Sequence, residues 1–159
     1  MRIKVLIVTF ILFTAMAAKA HGFGLGAQFN YSAGEVFAPG AALTISPSRR
    51  MHFAVNWYLD SSHVNTVGVT MDILVLPIIH SGFINFTLGG GLFSNVVFDD
   101  DIVLNGGVRV PVGLNLLLLR SRFEIFTHVA PSAGVSFLPN VEFTKPFFPM
   151  ALGARVWFR

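Results

Sequence analysis

Large apolar side chains alternate with small or polar ones along most of the chain after residue 22. The pattern is clearest in five segments, at 23–32, 52–60, 66–73, 107–115 and 150–158. A repeat of two residues is that of a β-strand whose two faces meet different surroundings. The same pattern, less regular, predicts three further strands at 40–46, 84–93 and 123–130. The chain is therefore predicted to be all-β, with eight strands.

The segments between these strands differ in length and charge. Two of them, 47–50 and 117–122, are short and basic, which predicts tight turns at one end of the sheet. Longer loops are expected at the opposite end, at 33–39, 60–63, 94–101 and 132–146. Residues 74–82 are predicted to form a longer, unusually apolar turn that contains Pro77. Strands joined in this way form an antiparallel, up-and-down sheet.

Composition decides which face of the sheet meets which environment. The chain is 53% apolar and only 12% charged, whereas a soluble domain usually carries about 25% charged residues. No apolar run after residue 20 approaches the roughly 20 residues that a membrane-spanning helix needs, so a polytopic helical protein is excluded.

Two kinds of barrel share the alternation. A soluble, secreted barrel that binds a hydrophobic ligand has its apolar face inside, whereas a membrane barrel has it outside. The outer face of a soluble barrel should be roughly 25–35% charged, but the polar face of the five clearest segments carries only a few charges, at Asp60, Asp72, Arg109 and Arg155. We therefore predict an eight-stranded antiparallel up-and-down transmembrane β-barrel, with Trp57, Val69 and Val110 facing lipid.

Aromatic residues on the apolar face lie near the predicted strand ends: Phe23, Tyr31, Phe53, Trp57, Phe123 and Phe158. Outer-membrane barrels carry girdles of aromatic side chains at both membrane interfaces. Ordinary packing explains any one such residue, but their joint placement favours contact with lipid head groups. These six residues are predicted to be interfacial.

Residues 1–20 have the three parts of a cleavable signal peptide: a basic start at Arg2 and Lys4, an apolar stretch, and a small residue on each side of Lys19. The alternative is an uncleaved membrane helix. Cleavage would leave one barrel domain, residues 21–159. It would also remove 3 of the 11 basic residues and none of the 8 acidic ones, so the mature formal charge is near 0 and gives no support to nucleic-acid binding. The absence of cysteine excludes disulfides, thiolate metal sites and a lipid-modified N-terminal cysteine.

Four charged residues fall on the predicted inner face: Asp72, Arg109, Glu124 and Arg155. An unpaired charge inside so narrow a barrel would cost several kcal/mol, so these residues are expected to form a structural network of ion pairs, with Arg109 paired to Glu124. A gated polar path through the barrel is the alternative. It is less favoured because eight strands leave little free bore.

No set of residues carries the signature of a catalytic, cofactor or metal site. His128, Ser132 and Glu142 could be combined into a Ser/His/acid set like that of outer-membrane lipid A hydrolases, but no local motif surrounds them. Asp99, Asp100 and Asp101 are adjacent rather than spaced like the ligands of a calcium loop, and a solvated loop tip with occasional cation contact is expected. No enzymatic activity and no cofactor is predicted.

The alternating strands, the leader and the aromatic end of the last strand resemble the small outer-membrane barrels of the OmpA, OmpX and OmpW type. Residues 107–115 (GVRVPVGLN) and 123–131 (FEIFTHVAP) resemble, more specifically, an uncharacterised family of barrels from spirochaetes and other double-membraned bacteria. Arg159 departs from the terminal aromatic that is usual in such barrels.

These features together predict a non-enzymatic integral protein of the bacterial outer membrane, with a structural or surface-binding role. The alternatives are a narrow pore for ions or small solutes and a lipid-modifying enzyme. Expected partners are membrane lipids and lipopolysaccharide or its equivalent, together with an extracellular ligand bound through the outer loops. No nucleic acid is expected, and the protein is expected to be a monomer.

Overall fold

The described residues form a closed antiparallel β-barrel in which the chain runs along the barrel wall eight times. The structure, a computed structural model, describes residues 22–33, 38–59, 65–98 and 102–158. Its strands are β1 (Phe23–Ala33), β2 (Ala38–Ser48), β3 (Met51–Leu59), β4 (Asn65–Ser81), β5 (Ile84–Phe98), β6 (Ile102–Arg109), β7 (Val112–Leu118), β8 (Phe123–Val129), β9 (Ser132–Leu138), β10 (Glu142–Phe143) and β11 (Phe148–Phe158).

Eleven strand segments make eight crossings because two crossings are interrupted by proline and the two-residue β10 does not form a crossing. Pro111 separates β6 from β7, yet both segments pair with β5 and therefore form one crossing. Pro131 separates β8 from β9 in the same way, within the next crossing. Proline has no N–H to donate to the ladder, so it interrupts the strand without ending the sheet. The eighth crossing is β11, preceded by the short β10.

The barrel closes through pairing of β1 with β11, and the closure is staggered. Starting from Gln28 on β1 and moving from each residue to its partner on the next strand, the path passes through β2, β3, β4, β5 and β6 and ends at Ser136 of β9. In the other direction it leads through Gly153 of β11 to Phe126 of β8. Ser136 and Phe126 lie ten residues apart in the same crossing. This stagger tilts the strands relative to the barrel axis.

The two faces of the sheet are oriented as predicted. Trp57, Val69 and Val110 are 58%, 53% and 46% exposed on the outside of the barrel, while polar side chains such as Asn30 and Asn56 are buried inside. An apolar exterior of this extent is unfavourable in water and favourable against acyl chains. The alternative of a soluble barrel with an apolar interior is therefore wrong.

The predicted strand boundaries need three corrections. Residues 74–82 do not form a long turn, because β4 continues to Ser81 and the hairpin turns at Gly82, whose φ is +60°. Shifts of register on either side of Pro77 accommodate it within the strand. Residues 94–98 continue β5. Much of the predicted loop 132–146 is β9 and β10, which pair with neighbouring strands. The alternation in this segment is too weak to predict them.

Within the described part of the chain, no helix has the length and apolar character required to cross a membrane. The proposed leader, Asp60, the acidic run 99–101 and Arg159 lie outside the described residues.

Candidate functional site

The four charged residues predicted on the inner face are buried and form two ion pairs. Asp72, Arg109, Glu124 and Arg155 are each 7% exposed or less. Arg109 Nε lies 3.1 Å from Asp72 Oδ1, a contact of opposite charges without the alignment of a hydrogen bond. Arg155 Nη1 lies 3.3 Å from Glu124 Oε2. The predicted pairing of Arg109 with Glu124 is therefore wrong.

Strand register explains the actual pairing. Asp72 on β4 and Arg109 on β6 are both cross-strand partners of Gly91, which lies between them on β5. A side chain at position 91 would occupy this space, because a Cβ added there would collide with Asp72 Oδ1 and lie 3.1 Å from Arg109 Cγ. Arg155 lies directly opposite Glu124 on the neighbouring strand. Each arginine therefore meets the carboxylate that the stagger of the barrel places beside it.

Aromatic side chains surround the Glu124–Arg155 pair at the end of the barrel where β1 begins and β11 ends. Trp157 Nε1 donates a hydrogen bond to Glu124 Oε2. The Arg155 guanidinium carbon lies 4.5 Å from the centroid of the Phe126 ring and 5.6 Å from that of Trp157. Hydrogen bonds and cation–π contacts of this kind offset the cost of removing a charge pair from water.

Arg49 extends this cluster across the same end of the barrel. It lies in the turn between β2 and β3, and its Nη2 donates to the carbonyl of Ser121, in the turn between β7 and β8, at 2.9 Å. Its guanidinium carbon lies 4.8 Å from the centroid of the Trp157 ring. We refer to Arg49, Glu124, Phe126, Arg155 and Trp157 as the lower plug. Nothing in the sequence pattern indicates a role for Arg49, and the only signal for Trp157 is that it falls on the same face of its strand as Arg155.

A layer of hydrogen-bonded polar side chains lies in the middle of the barrel. Gln28 Nε2 donates to Asn30 Oδ1 at 2.6 Å, and Asn30 Nδ2 donates to Asn56 Oδ1 at 2.8 Å. Arg109 Nη2 lies 3.2 Å from His128 Nε2. Together with Asp72, these residues form what we call the middle layer.

The side chains that might have formed a catalytic set are engaged elsewhere. His128 contacts Arg109 in the middle layer. The buried Ser132 hydroxyl donates to the carbonyl of Ala130 at 2.7 Å. Glu142 is exposed on β10, opposite Ser136. This arrangement leaves no base positioned to activate Ser132. Among the described residues, no group of three or more His, Asp or Glu side chains is placed to hold a metal ion.

Two of the cavities formed by the described residues differ greatly in size. One, of about 40 Å³, is lined by residues that include His52, Asp72, Glu124 and Arg155. The other, of about 470 Å³, lies at the opposite end and is lined by residues that include Phe93, Asn105 and Phe147. We call the second cavity the vestibule. The two share no lining residue.

The six aromatic residues predicted at the membrane interfaces lie at both ends of the strands. Phe23 and Phe158 are cross-strand partners whose ring centroids are 6.5 Å apart. Tyr31 and Trp57, near the opposite end, have exposed side chains. Phe53 and Phe123 are half-buried.

The fold is similar to that of solved outer-membrane barrels. Neisserial surface protein A matches with a TM-score of 0.54 and 13% identity, over 86% of this chain and 96% of that one. The N-terminal β-barrel domain of Pseudomonas aeruginosa OprF matches with a TM-score of 0.52 and 12% identity, over 85% of this chain and 97% of that one. No protein-family model matches the chain, and no curated protein matches it.

Fold and surface agree with each other. The eight crossings close without a free edge, so the backbone polar groups of the sheet are paired within it, as a lipid environment requires. The outward apolar side chains are those of a lipid-facing surface. The protein is a closed, eight-stranded transmembrane β-barrel with the fold of solved outer-membrane barrels.

Proposed function

We propose that the protein is a non-conducting, non-enzymatic monomer that has a structural role in the outer membrane and binds ligand at the cell surface. The single observation that carries this proposal is the division of the interior. The small cavity and the vestibule have no lining residue in common. Gln28, Asp72 and His128 of the middle layer line the small cavity, and no residue of that layer lines the vestibule. A continuous water-filled path would need residues shared between the two.

The charges of the interior also argue against conduction. Each buried arginine has a buried carboxylate beside it, so the two pairs leave no net charge to attract a permeating ion. Moving one member of such a pair would leave its partner buried and uncompensated, which typically costs about 3–5 kcal/mol. An ion would therefore have to displace side chains that are strongly held.

The exterior supports a stable position in the membrane. We propose that Phe23, Tyr31, Phe53, Trp57, Phe123 and Phe158 lie at the head-group level of the two leaflets, where aromatic side chains are favoured. The lipid partners are then phospholipid and lipopolysaccharide or its equivalent. Membership of the spirochaete barrel family, suggested by residues 107–131, stays a prediction.

Planar-bilayer recording tests the closed interior. The wild-type barrel should give no steady channels. The double variant Asp72→Ser/Arg109→Ser, which removes the larger side chains of the middle layer without leaving a lone charge, should give a measurable conductance. Val69→Ala/Val108→Ala is the matched control, because both valines face outward on the same two strands as Asp72 and Arg109. Steady wild-type channels would contradict the proposal and favour a pore.

A further inference from the structure

We propose that the vestibule is a binding site for a neutral sugar, of one or two hexose or N-acetylhexosamine rings. The inference rests on the surface-binding role proposed above and names its ligand class. The volume of about 470 Å³ falls within the roughly 300–1,000 Å³ typical of small-molecule sites. The small cavity beneath it, at about 40 Å³, is too small for any such ligand.

One wall of the vestibule is a row of polar side chains on adjacent strands. Asn95 on β5 lies opposite Asn105 on β6, which lies opposite Ser136 on β9, which lies opposite Glu142 on β10. Directly opposed residues have Cβ atoms about 4.5–5.5 Å apart. The row therefore presents amide donors, amide acceptors and a carboxylate at regular spacing, which suits a ligand with several hydroxyl groups.

Two polar atoms in this cavity are buried without a partner. Asn105 Oδ1 and Thr144 Oγ1 make no hydrogen bond, and both residues line the vestibule. Buried polar groups in proteins are nearly always hydrogen-bonded. Residues of the small cavity also carry unpartnered atoms, at Thr44, His52, Asp72 and Arg155, but of these two cavities only the vestibule has room for a ligand that could satisfy them. Asn105 Oδ1 accepts only, and the Thr144 hydroxyl both donates and accepts. Sugar hydroxyls supply both functions.

Aromatic rings border the polar wall. Phe147 packs edge-on against Phe93, with ring centroids 5.2 Å apart. Phe143 lines the vestibule and is 91% exposed, so its ring is unpacked by protein and open to a ligand. The negative face of an aromatic ring attracts the weakly positive C–H groups of a sugar ring. A polar row facing aromatic rings is complementary to a molecule with hydroxyls at its edge and C–H bonds on its face.

The segment that carries these groups is held by the backbone. Thr144 N donates to the carbonyl of Gly134 at 2.9 Å. Phe147 and Ser132 exchange two backbone hydrogen bonds, of 2.9 and 3.1 Å. The wall from 144 to 147 is thus fixed against β9 in the unliganded protein, which reduces the entropy lost when a ligand binds.

The charge and polarity of the vestibule disfavour charged ligands and apolar ligands. Glu142 and Lys145 both line the vestibule and are of opposite sign, so neither an anion nor a cation is favoured overall. A fatty acyl chain would leave Asn105 Oδ1 and Thr144 Oγ1 buried and unsatisfied, which is unfavourable. A neutral polyhydroxyl ligand carries no net charge, and its hydroxyl groups can hydrogen-bond to both atoms.

Saturation-transfer NMR on the folded barrel tests the assignment. The detergent should be lauryldimethylamine oxide, because the head group of an alkyl glycoside would compete for the site. The probes are glucose and N-acetylglucosamine, with laurate as the apolar comparison. We expect transfer to at least one sugar, and a weakening of its binding by at least about fivefold in Asn105→Ala and in Phe143→Ala. Asn140→Ala, at an exposed asparagine that does not line the vestibule, should bind as wild type.

Three results would overturn the assignment. They are no transfer to either sugar from a barrel whose gel mobility shifts on heating, transfer to laurate alone, and sugar binding that both Asn105→Ala and Phe143→Ala leave unchanged. The exposed Phe143 makes the second variant safe for folding. If the sugar assignment fails, the proposal that the barrel does not conduct still stands. Steady wild-type channels would contradict that proposal whatever the result with sugars.

Discussion

The two ends of the barrel interior are built from the same sheet but filled in opposite ways. At the end where β1 begins and β11 ends, Glu124 accepts from both Arg155 and Trp157, and Arg49 lies over the Trp157 ring. At the other end, Asn105 and Thr144 leave polar atoms unpartnered in a cavity of about 470 Å³. Thr44 Oγ1, His52 Nε2 and Arg155 Nε are also unpartnered at the first end, but the cavity there measures only about 40 Å³, so the two ends differ in the space left for a ligand. We infer that the first is structural and the second is a site for a ligand.

Side-chain length accounts for much of this difference. The lower plug combines long side chains with a glycine on the neighbouring strand that leaves room for them. A Cβ on Gly24 would lie 2.8 Å from Arg155 Cδ and 3.1 Å from the Trp157 ring. The vestibule wall has short side chains at Asn95, Asn105 and Ser136, which do not reach across the barrel. An eight-stranded interior is just wide enough for side chains to fill it, so short ones leave space.

The largest effect is expected from removing the central acceptor of the lower plug. Glu124→Ala would leave Arg155 buried without its carboxylate and Trp157 Nε1 without its acceptor, and should lower the free energy of unfolding by about 3–5 kcal/mol. Urea titration in lipid vesicles, followed by heat-dependent gel mobility, measures this change. The control is Glu142→Ala, which removes an exposed carboxylate at the other end and should change stability by less than about 0.5 kcal/mol. Equal effects of the two substitutions would remove the distinction between the ends.

An intermediate effect is expected in the middle layer, which separates the ends. Gly91→Ala introduces a methyl group between Asp72 and Arg109 and should lower the free energy of unfolding by about 1–3 kcal/mol through overpacking. Gly90→Ala is the matched control, because a Cβ on the adjacent residue meets no atom within 4 Å. The same urea titration measures both variants. If Gly91→Ala were as stable as Gly90→Ala, Asp72 and Arg109 could not be packed against position 91 as described.

The smallest effect is expected at Arg49, which spans the lower plug. Arg49→Ala loses the hydrogen bond to Ser121 and the contact with the Trp157 ring, together worth about 1 kcal/mol. The Trp157 ring should also become more accessible, so acrylamide should quench its fluorescence more strongly. A Trp57→Phe background leaves Trp157 as the sole tryptophan. Arg50→Ala removes the same charge from the same turn and serves as the control. Equal quenching in the two variants would show that Arg49 does not cover the ring.

The sequence predicts correctly which face of the sheet a residue occupies, because that face is set by the residue's place in the strand. Alternation placed Trp57 and Val69 outside and Asn30 and Asn56 inside, as the structure confirms. It failed where contacts cross strands. Arg109 and Glu124 were expected to pair because their predicted strands are adjacent, but Gly91 gives Arg109 access to Asp72 two strands away. The vestibule was missed because residues 132–146 were predicted to be loop, although β9 and β10 carry part of its wall.

The sequence by itself determined that the chain folds into strands with one apolar and one polar face, and that the apolar face meets lipid. Both follow from side-chain period and composition, which are local properties. Only the tertiary structure decided which interior side chains meet, because the stagger of ten residues between Phe126 and Ser136 arises when the sheet closes on itself. That closure brought Arg49 onto Trp157 at one end, and at the other it placed Asn105 in a cavity that its neighbours leave unfilled.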